Sequence, residues 1–282
     1  MQLYKCVACG KQFLGGIRIE NHQLWQQYIE GKQTYKQLSL QYGCSIKTIQ
    51  RRLDKIKVSK PEIKKCEVVV LMDTTYFGRS FGVMLFKDAY SGKNLYKQYI
   101  KHETNNLYAA GILFLKENGF EIKAIVCDGR KGLLTLFPNI PIQMCQFHQL
   151  AIITRYLTRK PKLQAAIELR EHALLLAKTD KESFERGLAD WYKKWEGFLN
   201  ERSKDIETGR SRYTHRRLRS AYRSLKTNLP WLFTWYDKKE LNIPNTTNAI
   251  DGHFADLKNK LRNHNGLSLT RKKKFIDEFL KA

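Results

Sequence analysis

Apolar residues recur along this chain with changing rhythm, and the changes divide it. From Asn21 to Lys57, Leu24, Tyr28 and Ile29 fall on one helical face, Leu38 and Tyr42 on a second, and Ile46, Ile49 and Leu53 on a third. Gly31 and Gly43 interrupt the pattern, so the spacing predicts three short helices. After the basic, Pro-containing stretch "KVSKPEIKK" the helical period disappears. "CEVVVLMDTTYFG" carries a continuous apolar run that stops at an Asp, and "SFGVMLFKDAYSGKNLYKQYI" supplies two strand-like segments joined by a turn at "AYSGKN".

Helical spacing returns from Asn105 to Gly119, and "FEIKAIVCDG" then reads as a buried strand. Strand, hairpin, helix, strand is a mixed α/β pattern, with the last strand expected parallel to the first through the crossover helix. From Gln149 to about Lys239 long amphipathic segments predict an all-helical module with strongly basic outward faces.

Charge narrows the function. The chain's 282 residues carry 51 Lys and Arg against 27 Asp and Glu, a net charge of +24 that exceeds what solubility needs. A polyanion is the expected partner, nucleic acid first. No run of about eighteen apolar residues and no signal-peptide pattern is evident, which argues against a membrane and for a soluble, cytoplasmic protein. The six cysteines lack a disulfide-scaffold spacing and are expected as reduced thiols.

The predicted third helix fits the nucleic-acid reading. Ser45 is placed to cap it, and its polar face carries Lys47, Thr48, Gln50, Arg51 and Arg52, residue types that reach phosphates and base edges. A trihelical helix-turn-helix is the natural interpretation, an ordinary basic helical hairpin the alternative. In front of it, Cys6 and Cys9 in "YKCVACGKQF" look like one knuckle of a zinc ribbon. Two thiolates supply half of a tetrahedral Zn2+ site. His22 with another group, or a partner subunit, could complete it; otherwise the knuckle is vestigial.

Asp73 and Asp128 each follow a hydrophobic strand-like run. In an open α/β sheet that edge is where ligands gather, and two carboxylates facing one another there call for a cation. Paired Mg2+ ions held by carboxylates are the common solution for phosphoryl transfer on a nucleic-acid backbone. Singly, either Asp is as well explained as a turn-former or helix cap. A third acid, Asp251, lies in "NTTNAIDGHFADLKNKLR", where Thr246 or Thr247 can cap a helix.

These residues carry a resemblance. "CDGRKGLLTLFPNIPIQMCQFHQ", with its Cys-x-x-His at Cys145 and His148, resembles the block around the second catalytic Asp of bacterial insertion-sequence transposases of the Mutator-like superfamily. "TTNAIDGHFADLK" is similar to that family's third block, where the acid is ordinarily Glu, and "LMDTTYFG" to its first. The match spans about Val68 to Leu280, and a ribbon plus helix-turn-helix accompanies one branch.

The resemblance implies an α/β, RNase H-like catalytic core with Asp73, Asp128 and Asp251 as catalytic ligands of Mg2+ or Mn2+. It implies a DDE-type transposase acting on double-stranded DNA, both transposon ends and target, as a homodimer or higher assembly associated with the bacterial nucleoid. Arg130, Lys131 and the basic insertion would bind flanking phosphates. Cys145 and His148 belong to the core motif; their spacing permits metal ligation, but a buried thiol beside a hydrogen-bonded His supporting the site is preferred. Asp251 is one methylene shorter than Glu, which leaves its reach open.

The expected organisation is a knuckle at 1–19, a helix-turn-helix domain at 20–57, a linker at 58–66, the first part of the core at 67–150, an all-helical insertion at 151–243 and C-terminal core helices at 244–282. Two rivals remain: a catalytically inactive, transposase-derived DNA-binding protein, and, less well supported, an RNA-binding protein.

Overall fold

Thr34, Ser45, Thr104, Asp180 and Ser268 each accept a backbone N–H at the start of the helix that follows them. A computed structural model describes residues 3–14, 19–58, 65–204, 207, 209–264 and 266–281. The linker expected at 58–66 therefore lies mostly outside the described residues, as do 1–2 and 15–18 of the knuckle.

The chain opens with an antiparallel hairpin, β1 (Leu3–Lys5) and β2 (Gln12–Leu14). Then come α1 (Asn21–Ile29), α2 (Tyr35–Gln41) and α3 (Ile46–Lys55). Thr34 and Gln37 form a reciprocal capping box on α2, and Ser45 Oγ accepts the Thr48 N–H at the start of α3. The three expected helices are present.

The sheet follows: β3 (Glu67–Phe77), β4 (Phe81–Asp88), β5 (Asn94–Ile100), α4 (Asn105–Glu117), β6 (Glu121–Cys127) and β7 (Ile142–Met144). The remaining elements are α5 (Gln146–Leu157), α6 (Gln164–Ala173), α7 (Lys181–Asn200), β8 (Arg202–Lys204), β9 (Ser211–Tyr213), α8 (Arg216–Leu232), α9 (Thr234–Asp237), α10 (Asn248–Arg262) and α11 (Leu269–Phe279). The fold is α/β with a mixed central sheet and many helices.

Two compact units emerge, Ile63–Gly252 and a second made of Met1–Glu62 with His253–Ala282. In the first, five strands run in the order β5-β4-β3-β6-β7. β3, β4 and β5 are successive antiparallel neighbours, while β6 and β7 run parallel to β3. The crossover from β5 to β6 is α4, which lies close on the sheet because Gly111 faces Phe86: a Cβ there would stand 2.1 Å from the ring. Val68 to Met72 are all buried, as a strand covered on both faces requires.

The expectation that Asp73 closes its strand needs correction. The apolar run ends there, but β3 continues to Phe77, because β-branched and aromatic residues in "TTYF" go on pairing with β4. What ends near Asp73 is the parallel pairing with β6, whose last registered pair is Leu71 with Val126.

The insertion is also not all-helical. It contains the β8–β9 hairpin between α7 and α8. Its helices bury regular stripes, Phe184, Leu188, Trp191 and Leu199 on α7 and Leu218, Ala221, Leu225 and Leu232 on α8. Fully buried glutamines tie them to the sheet: Gln143 Nε2 and Gln146 Nε2 donate to the Leu232 carbonyl at 3.0 and 2.9 Å. Those bonds satisfy an end carbonyl of α8 that has no intrahelical donor.

In the other unit, α1, α2 and α3 enclose Leu24, Trp25, Tyr28, Leu38, Ile49 and Leu53. Of the C-terminal helices expected to belong to the core at 244–282, His253–Ala282 joins this unit, whereas 244–252 stays with the sheet. Phe275 and Ile276 of α11 are buried, Phe275 edge-on to Tyr28 at 5.7 Å. Arg271 grips Asp54 with two N–H bonds of 3.0 and 2.7 Å, and Lys274 Nζ donates to the Leu53 and Asp54 carbonyls at the end of α3.

Candidate active site

Asp73 and Asp128 reach the same sheet edge by register. Asp73 is two residues beyond Leu71 and Asp128 two beyond Val126, the last parallel pair of β3 and β6. Asp251 comes from the first turn of α10 and His148 from the first turn of α5. Ligand atoms of Asp73, His148 and Asp251 all lie within 4.8 Å of one another. Asp128 stands outside that group, with Oδ1 accepting the Arg130 N–H at 3.1 Å. Its charge is still near enough to raise the Asp73 proton affinity.

The electrostatics are those of carboxylates gathered in a buried place beside one imidazole. Burial, and then the charges of Asp251 and Asp128, push the Asp73 carboxyl up to about 7 even though the Thr74 backbone and His148 oppose the shift. His148 is raised to about 9, chiefly by the Cys145 sulfur beside it and then by the two carboxylates, against the effect of burial. Cys145 feels burial upward, but hydrogen bonds from His148 and Thr247 prevail and lower its pKa. Nδ1 of His148 is buried without a partner of hydrogen-bonding geometry.

Cys145 and Thr247 join the elements that carry these groups. The N–H and hydroxyl of Thr247 both lie 3.3 Å from Cys145 Sγ, and the same hydroxyl lies 3.2 Å from Asp251 Oδ2. Gln146 N–H donates to the Asn245 carbonyl at 2.9 Å, and Asn245 Nδ2 returns a bond to Gln146 Oε1. The junction of β7 and α5 thus clamps the chain just before α10 and sets where Asp251 emerges. Support was the expected role of Cys145; Thr247, considered in the sequence only as a helix cap, is the link it acts through.

A second polar chain fixes the loop after Asp128. Thr74 Oγ1 is 3.1 Å from the Tyr108 hydroxyl, which donates to Glu103 Oε1 at 2.8 Å. Glu103 in turn faces Arg130, whose Nη2 donates to the Glu103 carbonyl at 2.8 Å and Nε to Asn105 Oδ1 at 2.9 Å. Two of the Arg130 donors are thus used within the fold, while its side chain stays 35% exposed beside Lys131. Lys131 remains exposed, and with Thr104, Asn105, Asn106 and Arg130 it lines an open cleft of about 500 Å³. Tyr108 and Glu103 carried no sequence signal beyond lying near a predicted helix start.

The residues fit a divalent cation. Two carboxylates and an imidazole whose ligand atoms lie within 4.8 Å of one another are a donor set for such an ion, whose charge would offset the burial that chiefly raises Asp73. Cys6 and Cys9 do not fit zinc by themselves. Hydrogen bonding to Cys9 lowers the Cys6 thiol pKa, but among the described residues no further His, Cys, Asp or Glu joins the pair, His22 included.

On α3, Lys47 and Arg51 are exposed and Gln50 and Thr48 half-buried. Thr48 shares a hydroxyl contact of 3.0 Å with Ser45. Arg52 Nη1 donates to the Ile19 carbonyl at 3.2 Å and lies 3.4 Å from Asn21 Oδ1, so it braces the start of α1. Among the described residues no helix is long and apolar enough to cross a membrane.

No protein-family model matches the chain, and no curated protein matches its sequence. Among solved structures, a chain of the cryo-EM structure of the simian T-cell lymphotropic virus intasome in complex with PP2A regulatory subunit B56 gamma is similar at a TM-score of 0.25 and 10% identity. The match covers 67% of this chain and 72% of that one, a distant likeness.

Proposed function

We propose that this chain is a DNA transposase of the Mutator-like insertion-sequence type, its mixed sheet an RNase H-like core in which Asp73, Asp128 and Asp251 hold Mg2+ or Mn2+. One observation carries the proposal: acids from β3 and α10, far apart in sequence, bring oxygens within 4.8 Å of each other at the edge where Asp128 also stands. Like charges gathered in a half-buried place are costly unless a cation is to be bound there. A divalent cation bound there supplies Lewis-acid activation of water or a DNA 3′-hydroxyl and stabilises the leaving oxygen of a phosphodiester.

The chain's own residues bind and orient. Asp73 is held by its pairing with Leu85 of β4, Asp251 by Thr247, and Asp128 by its bond from Arg130 N–H. Arg130 positions the Asp128 loop through Glu103 and Asn105, and Lys131 offers a charge to a flanking phosphate. Arg216, Arg217, Arg223 and Lys226 on α8 are exposed and add to the polyanion-binding surface, while Lys47 and Arg51 of α3 suit end recognition. Asp251, though one methylene shorter than Glu, brings a carboxylate oxygen within 4.8 Å of ligand atoms of Asp73 and His148, which favours the active reading over the inactive alternative.

The test is strand cleavage of a supercoiled plasmid carrying the chain's own gene with its flanking DNA, in Mg2+ or Mn2+. Cleavage at the element's ends that falls about 100-fold or more in Asp128→Asn, with DNA binding retained, is expected. Undiminished metal-dependent cleavage by Asp128→Asn would show the mechanism to be wrong.

A further inference from the structure

The acidic cluster contains a side chain that carboxylate chemistry alone does not call for. A ring nitrogen of His148 lies within 4.8 Å of carboxylate oxygens of both Asp73 and Asp251. Three atoms no farther apart than that always have a point within about 2.8 Å of all of them. Metal bonds to nitrogen and oxygen of about 2.0 to 2.3 Å then require each side chain to close by about half an ångström. Small rotamer adjustments cover such a distance.

Two further observations bear on His148. The Cys145 sulfur beside its ring holds the imidazole as an outer partner does for a ligating histidine, while Nδ1 itself makes no hydrogen bond of good geometry. Its backbone is fixed as well, since His148 lies in the first turn of α5 directly after Cys145, whose sulfur is anchored by Thr247. A ligand needs such support to hold its ring toward an ion.

We propose that His148 is a direct ligand, together with Asp73 and Asp251, of one divalent cation, and that this mixed oxygen and nitrogen donor set favours transition-metal ions such as Mn2+ over Mg2+. The inference rests on the metal-site assignment proposed above and adds the residue that sets its selectivity. Mg2+ is a hard ion that keeps water and oxygen ligands, whereas imidazole nitrogen suits the later divalent ions.

Mn2+ titrated into the full, metal-free chain and followed by electron paramagnetic resonance gives affinity and stoichiometry. Electron spin echo modulation of the bound ion reports directly bonded nitrogen. Nitrogen coupling is expected in the unaltered protein and lost in His148→Gln, with Mn2+ affinity falling about tenfold or more. Mg2+ affinity, measured by competition, should change by less than about threefold. If His148→Gln fails to fold, labelling the unaltered protein with 15N-histidine decides alone, since the coupling must change isotope. Bound Mn2+ without histidine coupling overturns the role of His148 and leaves the carboxylate site standing. Absence of any Mn2+ binding that Asp73→Asn weakens removes the site itself.

Discussion

Asp73 and Asp251 hold carboxylate oxygens within 4.8 Å of each other although the whole helical insertion separates them in the chain. Neither could be placed there by local preference: one is fixed by strand pairing, the other by the clamp between Cys145 and Thr247.

That clamp gives the first prediction. Thr247→Val keeps the side-chain volume and the backbone bond to Cys145 but removes the hydroxyl that faces Asp251. Stability should fall by about 1 to 2 kcal/mol in denaturant unfolding, the usual effect of deleting one buried hydrogen bond. Metal-dependent cleavage should fall by a larger factor than DNA affinity.

Stability should also depend on pH with a definite sign. Asp73 is raised from 3.8 to about 7 by burial, and His148 from 6.5 to about 9 chiefly by Cys145, so both bind protons more tightly folded than unfolded. Their contribution is fully present in acid and is lost as pH rises, for Asp73 between about 4 and 7 and for His148 between about 6.5 and 9. Thermal unfolding of the metal-free protein should show this decline, superimposed on other titrations. Asp73→Asn should remove the lower part of it, and saturating Mn2+ should flatten the upper part by competing with the protons.

The two arginines of α3 should behave differently. Arg51→Ala, at an exposed position, should weaken DNA binding and reduce the salt slope by about one, with little change in unfolding. Arg52→Ala removes the brace to Ile19 and should lower the melting temperature first. Anisotropy titrations across salt, beside thermal melts, separate the two outcomes.

Close packing makes another site sensitive. Gly111→Ala places a methyl group into the Phe86 ring and should destabilise the α4–sheet contact by about 1 to 3 kcal/mol. Unfolding in urea measures it directly.

Much of the core was legible because long apolar runs leave few choices. The strands around Val68–Met72 and Ala124–Cys127, the helix between them and their parallel pairing follow from hydrophobic rhythm and crossover rules. What escaped was short or non-local. β7 is three residues beside a proline, and β8 and β9 are short polar segments without alternation. The stripe at Phe275 and Ile276 indicates a buried face of α11 but not which unit it buries against. In sequence His148 has only Cys145 beside it, whereas its carboxylate neighbours come from β3 and α10. Arg130 and Arg52 look like free cations in sequence, and only folding shows where their donors are used.

The central claim is that these acids gather a divalent cation for phosphoryl transfer. Crystals of the protein soaked in Mn2+ and measured for anomalous scattering test it most directly. The account predicts a peak between Asp73 and Asp251, on the side facing Asp128, that disappears in Asp73→Asn. A well-ordered site with no peak there at saturating Mn2+ would contradict it.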